Sequence, residues 1–161
     1  MASDMFIKIG DIKGESHDDK HKDEIDILSW SWGVAQTGTF ASGGGGGAGK
    51  ASFHDLSFQH HVDKSSPVLA QACATGTHIK EAQLTVRKAG KGQQEYYIIK
   101  MNDILVSSVQ SSGSESTASL PMESVSLNFA KIHFDYKPQK LDGTLEAAVT
   151  FKYDLKANKQ L

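Results

Sequence analysis

Residues 123–136, ESVSLNFAKIHFDY, alternate apolar and polar side chains in two blocks of opposite parity. Val125, Leu127 and Phe129 fall on odd positions, whereas Ile132, Phe134 and Tyr136 fall on even ones. A period of two marks a strand with one buried face. The change of parity near Ala130 has two explanations: a bulge at that residue, or a long strand that passes from one sheet to another.

The same alternation recurs on both sides of this stretch. Leu28, Trp30, Trp32 and Val34 oppose Ser29, Ser31, Gly33 and Ala35. Ala82, Leu84 and Val86 oppose Gln83, Thr85 and Arg87, and near the C-terminus Val149, Phe151, Tyr153 and Leu155 share one parity. Residues 95–109, EYYIIKMNDILVSSV, have apolar side chains on both parities and read as a strand covered on both sides. Pro67, Pro121 and Pro138 lie at the edges of these runs, where a missing N–H does no harm. One helix is expected in SPVLAQACATG (66–76), with Ser66 as N-cap, Pro67 at the first helical position and Gly76 after the last turn. Cys73 then sits on the same face as Leu69 and Ala72, a small core residue rather than a nucleophile. About seven strands and one short helix predict a mainly β protein, a small barrel or sandwich.

Length and composition agree. The chain has 161 residues, enough for one domain with a real core. A net charge of -2 leaves no electrostatic footprint for nucleic acid. No apolar run approaches the roughly 20 residues that cross a bilayer. The single cysteine excludes an internal disulfide framework. The opening residues, MASDMFIKIGD, lack the basic start and long apolar stretch of a secretory signal, so the chain is expected to be made and folded in the cytoplasm.

Motifs that could carry chemistry are few. GGGGAGK (44–50) fits the spacing of a phosphate-binding loop, but Ala51 stands where Ser or Thr must hold magnesium. The following residues, SFHDLSFQHHV, read as a strand, whereas a phosphate loop opens a helix. Residues 37–51 are instead expected to form an extended arm that orders against a neighbour. Thr39, Phe40, Gly43, Gly44, Gly45, Gly46, Gly47 and Lys50 are its candidate contacts with that neighbour. His17 and His21 lie in the charged run HDDKHKDEID, which reads as a solvated connection rather than a metal site. His54 and His60 are expected on one face of a strand with His61 on the other, a spacing too loose for a metal centre. No G-x-S-x-G elbow occurs, and no cofactor signature and no enzyme reading are supported. The other wall of the tryptophan strand, with Ser29 and Ser31, reads either as an ordinary solvent face or as the lining of an aqueous channel.

Taken in order, MFIKIGDIKGES (5–16), ILSWSWG (27–33), GGGGGAGK (43–50), DLSF (55–58), LTVRKAG (84–90), NFAKIHFDYKPQ (128–139) and KYDLKANK (152–159) resemble the haemolysin-coregulated protein (Hcp) family, the tube subunits of type VI secretion systems. The resemblance spans nearly the whole chain. It implies two packed β-sheets forming a tight β-barrel with one short flanking helix, a single tube-subunit domain over 1–161, a homohexameric ring, rings stacked into a tube inside a contractile sheath, and an inter-subunit or inter-ring role for the 37–51 arm. It also implies a VgrG-type spike at the tip and export by that machine from a Gram-negative cell without a signal peptide. Small effector proteins would ride in the ring channel, with Ser29 and Ser31 as candidate contacts. The rival from another class is a monomeric β-barrel that binds a ligand or metal through the 54–61 histidines; a phage-type tail-tube subunit is a closer relative of the first reading.

Overall fold

In the computed structural model, which describes residues 3–38, 49–88, 92–115 and 120–161, the alternating segments become strands. They are β1 (Ser3–Ile9), β2 (Ile25–Asp26), β3 (Ser29–Ala35), β4 (Ser52–His61), β5 (Ile79–Lys88), β6 (Glu95–Ser112), β7 (Met122–Tyr136), β8 (Val149–Asp154) and β9 (Lys159–Gln160). One helix, α1 (Ser65–Thr75), joins β4 to β5. Every strand pairing among the described residues is antiparallel. The order is β2-β1-β5-β6-β7-β4-β3, and β8, carrying β9, also pairs with β7.

β7 serves two sheet sections. Its first half, Met122–Leu127, pairs with β4; its second half, Lys131–Tyr136, pairs with β8. The register against β6 is unbroken across Ala130, so the parity change expected there comes from the change of sheet and not from a bulge in β7. Opposite Ala130, Asp103 adopts φ +56°, which turns β6 through the same corner. The two sections then face each other over one core, with Ile7, Leu84, Ile99 and Ile132 from one and Leu56, Phe58, Val125 and Leu127 from the other. Trp30 and Trp32 of β3 reach across to Tyr97 and Phe134 at ring distances of 4.7 and 6.0 Å. The indole N–H of Trp32 donates to the Tyr97 hydroxyl at 3.1 Å. Both tryptophans are half-buried, at the rim of the core rather than its centre. Among the described residues, paired strands do not close the barrel. A short length of chain does so: the Ile27 N–H donates to Met5 of β1, and the Leu28 N–H to Gln59 of β4.

β6 is partly covered on both sides only at its start, where Glu95, Tyr96, Tyr97 and Ile98 are all half-buried. Further on, Ile99 and Met101 are buried, then Ile104 and Val106, while Lys100 and Leu105 are exposed. Two breaks reset the alternation there: the turn at Asp103, and a bulge at Ser107 opposite the pair Ser126/Leu127. From Ile99 onward, apolar residues on both parities therefore come from one buried face whose phase changes.

The helix begins before the expected N-cap. Ser65 and Ser66 are its first residues, and Lys64 at the cap makes no side-chain bond. The Asp63 carboxylate accepts the Ser65 N–H at 2.8 Å instead, and the Asp63 N–H donates to the Ser66 hydroxyl at 3.1 Å. Pro67 still lies in the first turn, where amides have no helical partner to lose. Gly76 ends the helix in the left-handed conformation at φ +64°, as its position suggested. α1 packs Leu69 and Ala72 into the core, with Cys73 half-buried beside them.

The charged run 17–26 is a loop, as expected, up to β2 at Ile25–Asp26, but it is not merely solvated. Arg87, buried in β5, reaches up to it. One guanidinium nitrogen donates to Asp18 at 2.9 Å, others donate to Asp4 at 3.2 and 3.3 Å, and the group lies 4.9 Å over the Phe6 ring. His21 is buried too. It stacks on Phe6 at 4.5 Å, and its two ring nitrogens meet Glu24 at 2.8 Å and Glu95 at 2.7 Å. Gly14 makes the fold-back possible, because a Cβ there would lie 2.5 Å from the Glu24 carbonyl oxygen.

Candidate functional site

The outward face of β3, β4, β7 and β6 is the candidate site. Strand register places its residues in rows. Ser31 pairs with Ser57, Ser57 with Ser126, and Ser126 with Ser108. One row away, Ser29 pairs with Gln59, Gln59 with Ser124, and Ser124 with Gln110. The two serines expected to share an open wall, Ser29 and Ser31, are exposed and stand at the edge of this larger surface. Sequence reading missed the other members. Alternating serines at 124 and 126 were visible, but only the pairing sets them beside Ser57 and Gln59.

Its chemistry is uniform. The Ser57 and Ser126 hydroxyls bond each other at 2.9 Å, and the Ser29 hydroxyl donates to the Gln59 carbonyl oxygen at 3.3 Å. Hydroxyl and carboxamide groups both donate and accept. The two rows hold no fixed charge. A carboxylate enters one row further on, where Asp55 accepts from Ser107 at 2.6 Å and from Asn128 at 2.9 Å. Each serine hydrogen bond in these rows goes to another hydroxyl or an amide, not to an imidazole or amine that could take its proton. The arrangement suits contact, not catalysis.

The histidine cluster comes apart. An extra residue in β4, opposite Trp32, reverses the alternation between His54 and Leu56. His54 and His61 are exposed, while His60 points into the core, so His54 and His60 do not share a face as the spacing predicted. His60 is fully buried, with Nε2 2.8 Å from Glu123, itself steadied by Ser111 at 3.1 Å. Its Nδ1 has no hydrogen-bond partner, and the nearest carboxylate, Asp63, stands 3.9 Å away. Among the described residues no group of three or more His, Cys, Asp or Glu could hold a metal ion.

Of the arm, Thr39, Phe40 and Gly43 to Gly47 lie outside the described residues. Lys50 is described and exposed, and the segment after it enters β4 without a helix, as the sequence indicated. No helix among the described residues is long and apolar enough to cross a membrane.

Comparison with known proteins agrees with this fold. Residues 6–136 match the family described as "Type VI secretion system effector, Hcp". The chain is 51% identical to protein hcp1 of Pseudomonas aeruginosa, over 99% of both chains. It superposes with a TM-score of 0.94 on a solved type six secretion system protein at 30% identity, covering 99% of this chain and 100% of that one. For Hcp1 from Salmonella typhimurium the TM-score is 0.80 at 38% identity, with both chains fully covered.

Proposed function

Because the chain belongs to the Hcp family of type VI secretion proteins, we propose that it is a structural subunit of that system's inner tube. Six copies close into a ring, and rings stack inside a contractile sheath behind a VgrG-type spike. The tube leaves the cell through this machine and needs no signal peptide. Small effector proteins travel in the ring channel, so the subunit acts as carrier and chaperone and not as an enzyme.

The observation that carries this reading is the neutral serine and glutamine face containing Ser29 and Ser31. A wall that holds folded cargo and then lets it go needs many weak, exchangeable contacts. Hydroxyls and carboxamides provide them, since water replaces each bond at little net cost. Fixed charges would select by sign and hold more tightly. Edge strands point the same way. Among the described residues β3 and β9 each pair with one strand only, and an open strand edge is a hazard that neighbouring subunits in a ring remove. The monomeric metal-binding barrel loses its only support with the separation of His54 from His60.

The test is Ser31→Gln. A longer side chain at the exposed edge of the row should leave the ring's mass by light scattering unchanged and reduce the effectors that co-purify with it. Undiminished co-purification with an intact ring overturns the assignment of this face to the channel.

A further inference from the structure

Among the described residues, the larger sheet section has carboxylates without a cation partner at its β2 edge and ammonium groups without a carboxylate partner on its outward face. At the β2 edge, Asp18 and Glu24 are already engaged by Arg87 and His21. Asp19 and Asp26 remain exposed, with no cation within 4 Å among the described residues. Burial and then the nearby Asp18 charge push the Asp26 carboxyl up, only partly offset by Ser16 and His17, so this acid lacks a full counter-charge.

Across that outward face a single row runs from β1 to β8: Lys8, Gln83, Lys100, His133 and Lys152. Lys100 and Lys152 flank His133 on adjacent strands. Lys8, Lys100 and Lys152 are exposed, and none has a carboxylate within 4 Å among the described residues. Of the nearest acids, Asp135 is engaged by Thr150 at 2.6 Å and His133 at 3.0 Å. Glu81 lies across a hollow of about 370 Å³ that Lys8, Lys100 and His133 also line. The next row, Glu81, Asn102, Lys131, Asp154 and Lys159, mixes signs and compensates itself. The basic row does not.

We propose that neighbouring copies of this chain meet head to tail, with the Asp19 and Asp26 carboxylates of one copy facing the Lys100 and Lys152 ammonium groups of the next. This rests on the ring reading and names the surfaces that meet in it. A contact between two different surfaces is heterologous: each copy uses both surfaces once, and the chain of contacts closes into a ring when the rotation allows. Like surfaces repel, so the same charges oppose a two-fold pairing through either one.

A charge swap tests it. Lys100→Glu/Lys152→Glu, Asp19→Lys/Asp26→Lys and the chain carrying all four changes are compared with wild type by light scattering after size exclusion at low salt. Wild type should run as a hexamer. Each double variant should weaken association by at least about tenfold and run as a smaller species, and the quadruple variant should recover ring mass. Circular dichroism identifies a variant that fails to fold; Lys100→Gln/Lys152→Gln then replaces the lysine reversal, and high salt should dissociate wild type in the same way. A wild-type monomer overturns the ring reading and this inference with it. A wild-type hexamer whose folded double variants keep full mass, or whose folded quadruple variant stays dissociated, overturns this inference alone.

Discussion

Arg87→Met should unpin the 14–24 loop and cost about 2–3 kcal/mol of folding stability. The guanidinium is 2% exposed and serves Asp18, Asp4 and the Phe6 ring together. Removing one member of a fully buried pair costs roughly 3–5 kcal/mol. Here Asp18 is 18% and Asp4 43% exposed, so water partly replaces the lost donor and the cost is smaller. Protonation gives an independent measure. The Arg87 hydrogen bond, working against burial and helped by the Lys20 and His21 amides, holds the Asp18 carboxyl at about 2, against an ordinary value of 3.8. Unscreened, that difference corresponds to roughly 2 kcal/mol; solvent screening reduces it to about 1 kcal/mol. Contact with Phe6 adds about 0.5–1 kcal/mol. In a chain of this length the total lowers Tm by roughly 4–12 °C. The pH dependence follows from the sign of the shift. Asp18 contributes its stability fully above about pH 4 and loses it as pH falls through about 2, because the unfolded carboxyl takes up its proton first. Urea melts at fixed protein concentration should therefore show a gap between wild type and Arg87→Met that is constant from pH 7 to 4 and narrows below. A loss under about 0.5 kcal/mol, or a gap undiminished toward pH 2, would refute the reasoning.

Three further outcomes are expected. Glu123→Ala leaves both His60 ring nitrogens without a partner in the core and should cost about 2 kcal/mol in urea denaturation. Gly14→Ala drives a methyl group into the Glu24 carbonyl, so a loss of roughly 1–3 kcal/mol should come with faster proteolysis within residues 14–24. Deletion of residues 43–47 removes a glycine run with no side chains to give a core. The barrel should keep its circular dichroism and melting temperature, while ring mass or tube length in negative-stain images falls; unaltered tubes would remove the inter-subunit role from the arm.

Periodicity carried most of the fold, because an apolar side chain every second residue needs no distant information to be recognised. It failed where the chain changes phase. Beyond Ile99, residues 95–109 look two-sided because Asp103 and Ser107 each reset the alternation, and His54 parts from His60 because β4 carries an extra residue. Asp is among the few residue types that adopt a positive φ, so Asp103 carried a signal of its break, whereas Ser107 did not. Contacts across long separations were equally hidden. Arg87 meets Asp4 and Asp18 from 83 and 69 positions away, and the solvated appearance of 17–26 follows from composition alone. Ser29 and Ser31 were legible as an open wall, but Ser57, Ser108 and Ser126 joined them only through register.

The phase change in β7 ties the two surfaces together. In its first half Ser124 and Ser126 face outward on even positions, within the wall assigned to the channel. In its second half His133, an odd position, belongs to the outward basic row, while Ile132 fills the core. A strand of unbroken parity could keep the serines outward only by burying Lys131 and His133 and exposing Ile132 and Phe134, since a slip of one residue exchanges the faces of a strand. The buried neighbours Phe129 and Ala130 avoid that conflict. They let one continuous strand show a neutral face where cargo would pass and a charged one where a neighbouring subunit would dock.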